Sequence, residues 1–169
     1  MFFAVSRMSA ITGLVLLPLA AFSQRVAKVV YLKTSPVANG YTLVEPNTET
    51  NKRYVDLPDP TVSIYSDKPD VFSLTEGTVA ATFTVGNSFV ILVKKNDSFF
   101  VYQNINEALV KKDDAISKGM KIGTLTQAPI DVVYKLGLQI WTGTKEKPTR
   151  IEPEDIIGYL AKTDKVYKR

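Results

Sequence analysis

Residues 77–102 read GTVAATFTVGNSFVILVKKNDSFFVY, and this stretch decides the fold class. Val79, Ala81, Phe83 and Val85 alternate with small polar or apolar residues, which is typical of a strand with one buried face. The continuous apolar run that follows is typical of a strand covered on both faces. The predicted strands are 78–85, 88–93 and 98–102, with turns at Gly86-Asn87 and at 95–97. The stretch therefore predicts a three-stranded antiparallel meander.

On both sides of the meander, short apolar runs predict further strands, while long helical periodicity is nearly absent. Gly137 lies inside the last of these runs, where a glycine usually marks a bulge or a close approach of another stretch of backbone. Pro153–Ala161 predicts a short helix, with Glu154 and Asp155 at its positive end. The further strands are predicted at 25–33, 61–65, 71–74 and 132–141, with a loop-rich segment at 38–60. The chain is thus predicted to be all-β, mainly antiparallel, with a short C-terminal helix.

The first 23 residues have the pattern of a secretory signal peptide. Arg7 precedes an uncharged run, and small residues follow at Ala20, Ala21 and Ser23, which places cleavage after Ser23. An uncleaved anchor is the alternative, but the apolar run is shorter than the ~20 residues that a membrane span needs. We therefore predict an exported protein, periplasmic or extracellular, without a transmembrane span after cleavage.

Composition excludes several kinds of chemistry. The chain of 169 residues contains no cysteine and no histidine. A disulfide, a thiol nucleophile, a Ser-His-Asp triad and an ordinary zinc site are therefore excluded, whereas carboxylate pairs and Ser/Lys pairs remain open. Without Arg7 the 21 basic residues fall to 20 against 17 acidic ones, a net charge of +3. This small excess does not indicate nucleic-acid binding.

The order of three strings resembles the lysostaphin-type (LytM) metallopeptidases of bacterial cell walls. The strings are GTVAATFTVGNSFVILVKKNDSFFVYQNI, ALVKKDDAISKGMKIGTL and LGLQIW, and the resemblance covers Val62 to about Ile157. It implies a LytM-like β-sandwich or hybrid barrel. The predicted organisation is a signal peptide at 1–23, an N-terminal strand and loop-rich segment at 24–60, the degenerate domain at 61–161 and a basic tail at 162–169.

The resemblance also locates the family's active-site positions, and this chain lacks the family's residues there. Where the family has Tyr-x-His-Leu, Asn104 occupies the place of the catalytic histidine. Where the family has His-Leu-His-Phe-Glu-Ile, Lys135 and Gly137 replace the two histidines, the second of which binds zinc. Ser63 aligns with the aspartate ligand, although Tyr54–Leu57 competes for that position. The resemblance therefore implies an inactive homologue of a zinc endopeptidase, with no metal and no cofactor.

Six residues are predicted to remain around the inherited groove and to contact a ligand: Ser63, Tyr102, Asn104, Gly137, Gln139 and Trp141. Aromatic surface and amide groups suit a glycan or a peptide. The alternative is an ordinary strand surface, with Trp141 at the edge of the core. The expected partner is peptidoglycan or an envelope protein such as a wall hydrolase. A hydrolase with a histidine-free carboxylate site and a structural adaptor module are the alternative functions.

Overall fold

The computed structural model describes residues 27–44, 61–126, 133–144 and 146–161. Within these residues the chain forms eleven strands and one helix. The strands are β1 (Lys28–Tyr31), β2 (Tyr41–Val44), β3 (Val62–Ser66), β4 (Asp70–Phe72), β5 (Gly77–Val85), β6 (Ser88–Lys95), β7 (Ser98–Ala108), β8 (Ala115–Ile116), β9 (Lys121–Leu125), β10 (Tyr134–Gly143) and β11 (Pro148–Arg150), and the helix is α1 (Pro153–Ala161).

The strands form one sheet in the order β1-β2-β3-β10-β7-β6-β5-β8. β11 pairs with β10, and β9 pairs with both β4 and β7. Every strand pair in the described residues is antiparallel. The predicted meander is present as β5–β6–β7, and the predicted terminal helix is α1. The prediction of a mainly antiparallel β fold with a short C-terminal helix is confirmed.

The meander departs from its predicted alternation at one point. The register between β5 and β6 shifts between Val79 and Ala81, so Ala80 is an extra residue in β5. Val79 is buried as expected, but Phe83 is exposed and Val85 has 61 % of its surface exposed. The expectation that these apolar residues share one buried face is therefore wrong, because the bulge reverses the side-chain alternation beyond it.

The N-terminal segment also differs from its prediction. Tyr41–Val44 was expected to belong to a loop-rich stretch, but it forms β2. It pairs with β1 along its whole length and with β3 through Tyr41 and Tyr65. The first predicted strand, 25–33, ends earlier than expected, since β1 ends at Tyr31; positions 25 and 26 lie outside the described residues. Two strands are thereby added to one edge of the central sheet.

The core lies on one face of the central strands and is closed by β4, β9 and α1. Leu136 and Leu138 of β10 are fully buried there, together with Val71 of β4 and Ile122 of β9. Leu160 of α1 belongs to the same buried cluster. Alternation along β10 directs Gly137, Gln139 and Trp141 to the opposite face of the sheet, which we call the outer face. The candidate site lies on this outer face.

The predicted signal peptide and the basic tail lie outside the described residues and stay predictions. Within the residues that the structure describes, no helix has the length and apolar character needed to cross a membrane.

Candidate functional site

Three adjacent strands bring the central candidate residues into one row. Gly137 of β10 pairs with Ser63 of β3 on one side and with Gln103 of β7 on the other. Residues directly opposite each other in antiparallel strands have Cβ atoms roughly 4.5–5.5 Å apart. The register therefore places Ser63 beside Gly137 on the outer face. We call these three residues the central row.

The space above Gly137 is already filled. A Cβ atom built on this glycine would lie 3.0 Å from Gln103 Oε1 and 3.0 Å from the Thr61 methyl group. The side chain of Gln103 thus lies over the backbone of β10, and Gly137 is buried beneath it. The expected bulge or close backbone approach at Gly137 is absent, because β10 keeps a regular register on both sides and the groups that approach Gly137 are side chains. Sequence reasoning missed Gln103, and only its register opposite a strand glycine identifies it.

A chain of hydrogen bonds continues along the outer face from Thr61 to the single tryptophan of the protein. Gln139 Nε2 donates to Thr61 Oγ1 at 2.8 Å, and Trp141 Nε1 donates to Gln139 Oε1 at 2.9 Å. Both ends of the Gln139 amide are therefore engaged, which fixes its orientation. Gln139 and Trp141 are half-buried and belong to this face, as predicted.

Asn104 lies in a bulge beside the central row. Between the pairs Ile91–Tyr102 and Phe89–Ile105, β7 contains two residues where β6 contains one. Asn104 is exposed and has a φ of 63°, in the left-handed region that asparagine tolerates better than most residues. A bulge of this kind redirects a side chain, and bulges are frequent next to active sites. The bulge keeps Asn104 accessible immediately next to Gln103.

Tyr102 lies on the other side of β7, in the core, although it was predicted for the groove. It pairs with Leu138, is fully buried, and accepts a hydrogen bond from the Leu74 amide at 2.9 Å. Burial raises the pKa of Tyr102 to about 12, against the lowering effect of hydrogen bonds with Leu74 and Ser73. Five of the six predicted residues therefore lie on or beside one surface. Tyr102 supports that surface from within and cannot contact a ligand on it.

A cleft of ≈ 360 Å³ opens next to Ser63. It forms because β2 and β3 pair through a single residue pair, so the two strands separate towards Val62. Its walls are mostly apolar, with hydroxyl groups on the side of the central row. The lining residues are Ala27, Thr42, Leu43, Thr61, Val62, Ser63, Tyr65, Pro153 and Ile157.

The charge on this part of the sheet has one sign. Strands β1, β2, β3, β6 and β10 contain no aspartate and no glutamate, and Lys94 and Lys135 lie on the outer face; Lys95 lies on the opposite face and pairs with Glu76, and β7 contributes Glu107 towards its end. The register aligns Trp141, Phe99 and Lys94 across β10, β7 and β6, and Lys94 Nζ lies 5.7 Å from the centre of the Phe99 ring. Such a surface favours a partner that carries negative charge.

A catalytic zinc, as in the metallopeptidases that the chain resembles, does not fit these residues. Catalytic zinc in proteins takes about three ligands from histidine, cysteine and carboxylate side chains. Gly137 has no side chain, Ser63 offers a neutral hydroxyl, and the amide of Gln103 occupies the space between the strands. Among the described residues, no group of three carboxylates lies close enough together to hold a metal ion.

Solved structures similar to this chain include lysostaphin-type proteins. The catalytic domain of the prophage-encoded protein EnpA from Enterococcus faecalis has 13% identity and a TM-score of 0.47, covering 61% of this chain and 83% of that one. Lysostaphin has 17% identity and a TM-score of 0.47, covering 60% of this chain and 44% of that one. CbpA from L. salivarius has 19% identity and a TM-score of 0.49, covering 60% of this chain and 74% of that one. No protein-family model and no curated protein matches the chain.

Proposed function

We propose that this chain is an exported, non-catalytic domain of the lysostaphin (LytM) type that binds peptidoglycan in a bacterial cell envelope. The proposed binding surface is the outer face around the central row. One observation carries this proposal: Ser63 and Gly137, the two positions that the alignment assigns to metal ligands, pair directly, and neither offers a ligand. The binding unit is the proposed domain at 61–161, with β1 and β2 extending its sheet.

The absence of catalysis follows from the residues at these positions. A zinc hydrolase needs a metal that activates its bound water, and usually a side chain that accepts the proton. Asn104 cannot take up a proton as a base, and Gly137 cannot bind a metal. Since the chain has no histidine and no cysteine, no residue elsewhere restores the usual zinc site.

The outer face retains what binding requires. Gln103, Gln139 and Asn104 supply amide donors and acceptors, and Trp141 supplies apolar surface with a polar edge. The lysines of the surrounding strands suit the carboxylates of peptidoglycan stem peptides. The signal peptide pattern supports an envelope location, because secretory signals mark chains for export, the route that would bring this domain to peptidoglycan.

Trp141 gives a direct test of binding, because it is the single tryptophan and lies on the proposed surface. We expect soluble peptidoglycan fragments with stem peptides to change the tryptophan emission of the mature chain in a saturable titration. Ser63→Glu should weaken binding at least about tenfold, since it places a carboxylate in the central row. Ser63→Gln is the matched uncharged control, and Val85→Ser, at the tip of the β5–β6 hairpin, should leave binding unchanged.

Hydrolysis is tested separately with purified cell walls and added zinc. We expect no release of soluble fragments above the level of a heat-denatured control. Fragment release that disappears when a carboxylate is replaced would overturn the proposal in favour of a histidine-free hydrolase. A stoichiometric complex with an envelope protein, without retention on isolated walls, would favour the structural adaptor.

A further inference from the structure

A row of tyrosines extends across the N-terminal edge of the sheet. Tyr31 of β1 pairs with Tyr41 of β2, Tyr41 pairs with Tyr65 of β3, and Tyr65 pairs with Lys135 of β10. Since directly paired residues share a sheet face, all four side chains lie on the same face. We call Tyr31, Tyr41 and Tyr65 the tyrosine row.

The rings of the tyrosine row contact one another and leave one end open. The ring centres of Tyr31 and Tyr41 are 6.1 Å apart, and those of Tyr41 and Tyr65 are 5.6 Å apart in a stacked arrangement. Tyr31, at the edge of the sheet, has 75 % of its surface exposed. In the next register pair on the same face, Val29 and Leu43 are exposed as well. A contiguous exposed apolar surface of this kind marks an interaction site more often than chance.

The tyrosine row is continuous with the proposed binding surface. Tyr65 lies two residues from Ser63 on β3, and Lys135 lies two residues from Gly137 on β10. Side chains two apart on a strand point to the same face, so the tyrosine row runs beside the central row on the outer face. Tyr65 also lines the cleft next to Ser63. One extended ligand can therefore contact both the central row and the tyrosine row on the same face of the sheet.

Lys135, which pairs with Tyr65, places a positive charge at the inner end of the tyrosine row, and this charge indicates the kind of ligand that the surface can bind. Lys135 is exposed and forms no ion pair with any other described residue. The four strands that carry the row and Lys135 contain no carboxylate. The surface thus combines aromatic rings, phenol hydroxyls and an uncompensated ammonium group, which together suit an anionic ligand with both apolar and hydroxyl-bearing faces.

We propose that the tyrosine row and Lys135 bind the glycan strand of peptidoglycan, a saccharide that carries carboxylate groups. The C–H faces of the sugar rings pack on the tyrosines, the phenol groups exchange hydrogen bonds with sugar hydroxyls, and Lys135 Nζ binds a carboxylate. This inference rests on the proposed function and deepens it. It assigns the glycan to the tyrosine row and leaves the stem peptide to the central row.

The test uses glycan strands from which an amidase has removed the stem peptides, titrated calorimetrically into the mature chain. Tyr31→Ala should weaken glycan binding about five- to tenfold, as expected for loss of one aromatic contact. Lys135→Gln should weaken it about three- to fivefold and reduce its salt dependence. Tyr159→Ala is the matched control, because Tyr159 is an exposed tyrosine on α1, outside the tyrosine row. Tyr31→Phe, which keeps the ring, should retain most of the affinity.

The outcomes separate this inference from the proposed function. If stem-peptide fragments change the Trp141 emission but glycan strands do not bind, the proposed function stands and the inference is overturned. If a phosphate-rich wall polymer competes with the glycan strands at equal concentration, the assignment to a carboxylated saccharide is overturned. Equal binding by wild type, Tyr31→Ala and Lys135→Gln would also contradict it. Thermal melting of each variant establishes that a lost signal reflects binding rather than unfolding.

Discussion

The two faces of β10 differ in what holds their residues in place. On the core face, Leu136, Leu138 and Ile140 are buried in a continuous apolar cluster. On the outer face, Gly137 lies under the side chain of Gln103, and Gln139 links Thr61 to Trp141 through hydrogen bonds. The core face thus depends on volume and apolar contact, whereas the outer face depends on a few polar contacts and on one residue without a side chain.

This difference separates the part of the molecule that stabilises the fold from the surface proposed to bind. Stability resides mainly in the core face, because burial of apolar surface is the dominant favourable contribution to folding. On the outer face, the side chain of Gln103 fills the space next to Gly137. Substitutions on the two faces should therefore differ in their cost.

The largest effect is expected from Leu138→Ala on the core face. Leu138 is fully buried, so its truncation removes apolar contacts and leaves a cavity. We expect a loss of about 3 kcal/mol in the free energy of unfolding, measured by urea denaturation. Leu109→Ala, at an exposed leucine, is the control and should change stability by less than about 0.5 kcal/mol. Similar losses for both variants would contradict the description of the core.

Tyr102→Phe should give the next largest effect and should change the pH dependence. At neutral pH it leaves the buried Leu74 amide without its acceptor, at a cost of about 1–2 kcal/mol.

The pKa of Tyr102 in the folded state, about 12, lies above the ordinary value of 10.0. The contribution of this tyrosine is therefore complete below about pH 10 and is lost as the pH rises towards 12, a loss of roughly 3 kcal/mol in the free energy of unfolding for a shift from 10.0 to about 12. The wild type should lose stability in this window faster than the variant, as followed by circular dichroism in urea. Parallel curves for the two proteins would show that Tyr102 is not the group responsible.

On the outer face, Gln139→Ala should cost about 1 kcal/mol, less than Leu138→Ala. The substitution removes two side-chain hydrogen bonds that are partly exposed to water, so solvent compensates for much of the loss. It also frees the Trp141 indole N–H, and the tryptophan emission should shift to longer wavelength. Gln139→Glu retains the acceptor for Trp141 but replaces the donor to Thr61, so it should preserve the emission maximum better than alanine does.

The smallest effect is expected from Gly137→Ala. The new Cβ atom meets the flexible end of Gln103 and the methyl group of Thr61, and both can shift by a few tenths of an ångström. For Gly137→Ala alone we expect the free energy of unfolding to change by no more than about 0.5 kcal/mol. In a protein that already carries Gln103→Ala, the same substitution should be more stabilising, because the side chain that crowds the new Cβ atom is gone. A loss above about 2 kcal/mol in both backgrounds would mean that backbone packing, rather than Gln103, restricts this position.

The strands of the meander and the C-terminal helix could be predicted from local patterns, because alternation, turn residues and helix-end charges act over a few residues. Gly137 was expected to mark a bulge or a close approach of backbone, but side chains of Gln103 and Thr61 approach it, and no pattern near the glycine indicates them. The exposure of Phe83 and Val85 could not be predicted, because one bulge at Ala80 reversed the alternation. The burial of Tyr102 was missed for a related reason. The motif aligned Tyr102 with the site, but the pleat of β7 directs it into the core.

By itself, the sequence determined the β-rich architecture and the absence of histidine and cysteine chemistry, because both follow from residue types and short-range order. Through the family resemblance it also gave the prediction that Ser63 and Gly137 stand at the positions of metal ligands. The three-dimensional arrangement alone shows that these two residues pair directly, that Gln103 covers Gly137, and that three tyrosines distant in sequence form one row. Those relations depend on strand register, which long-range packing sets and no local pattern contains.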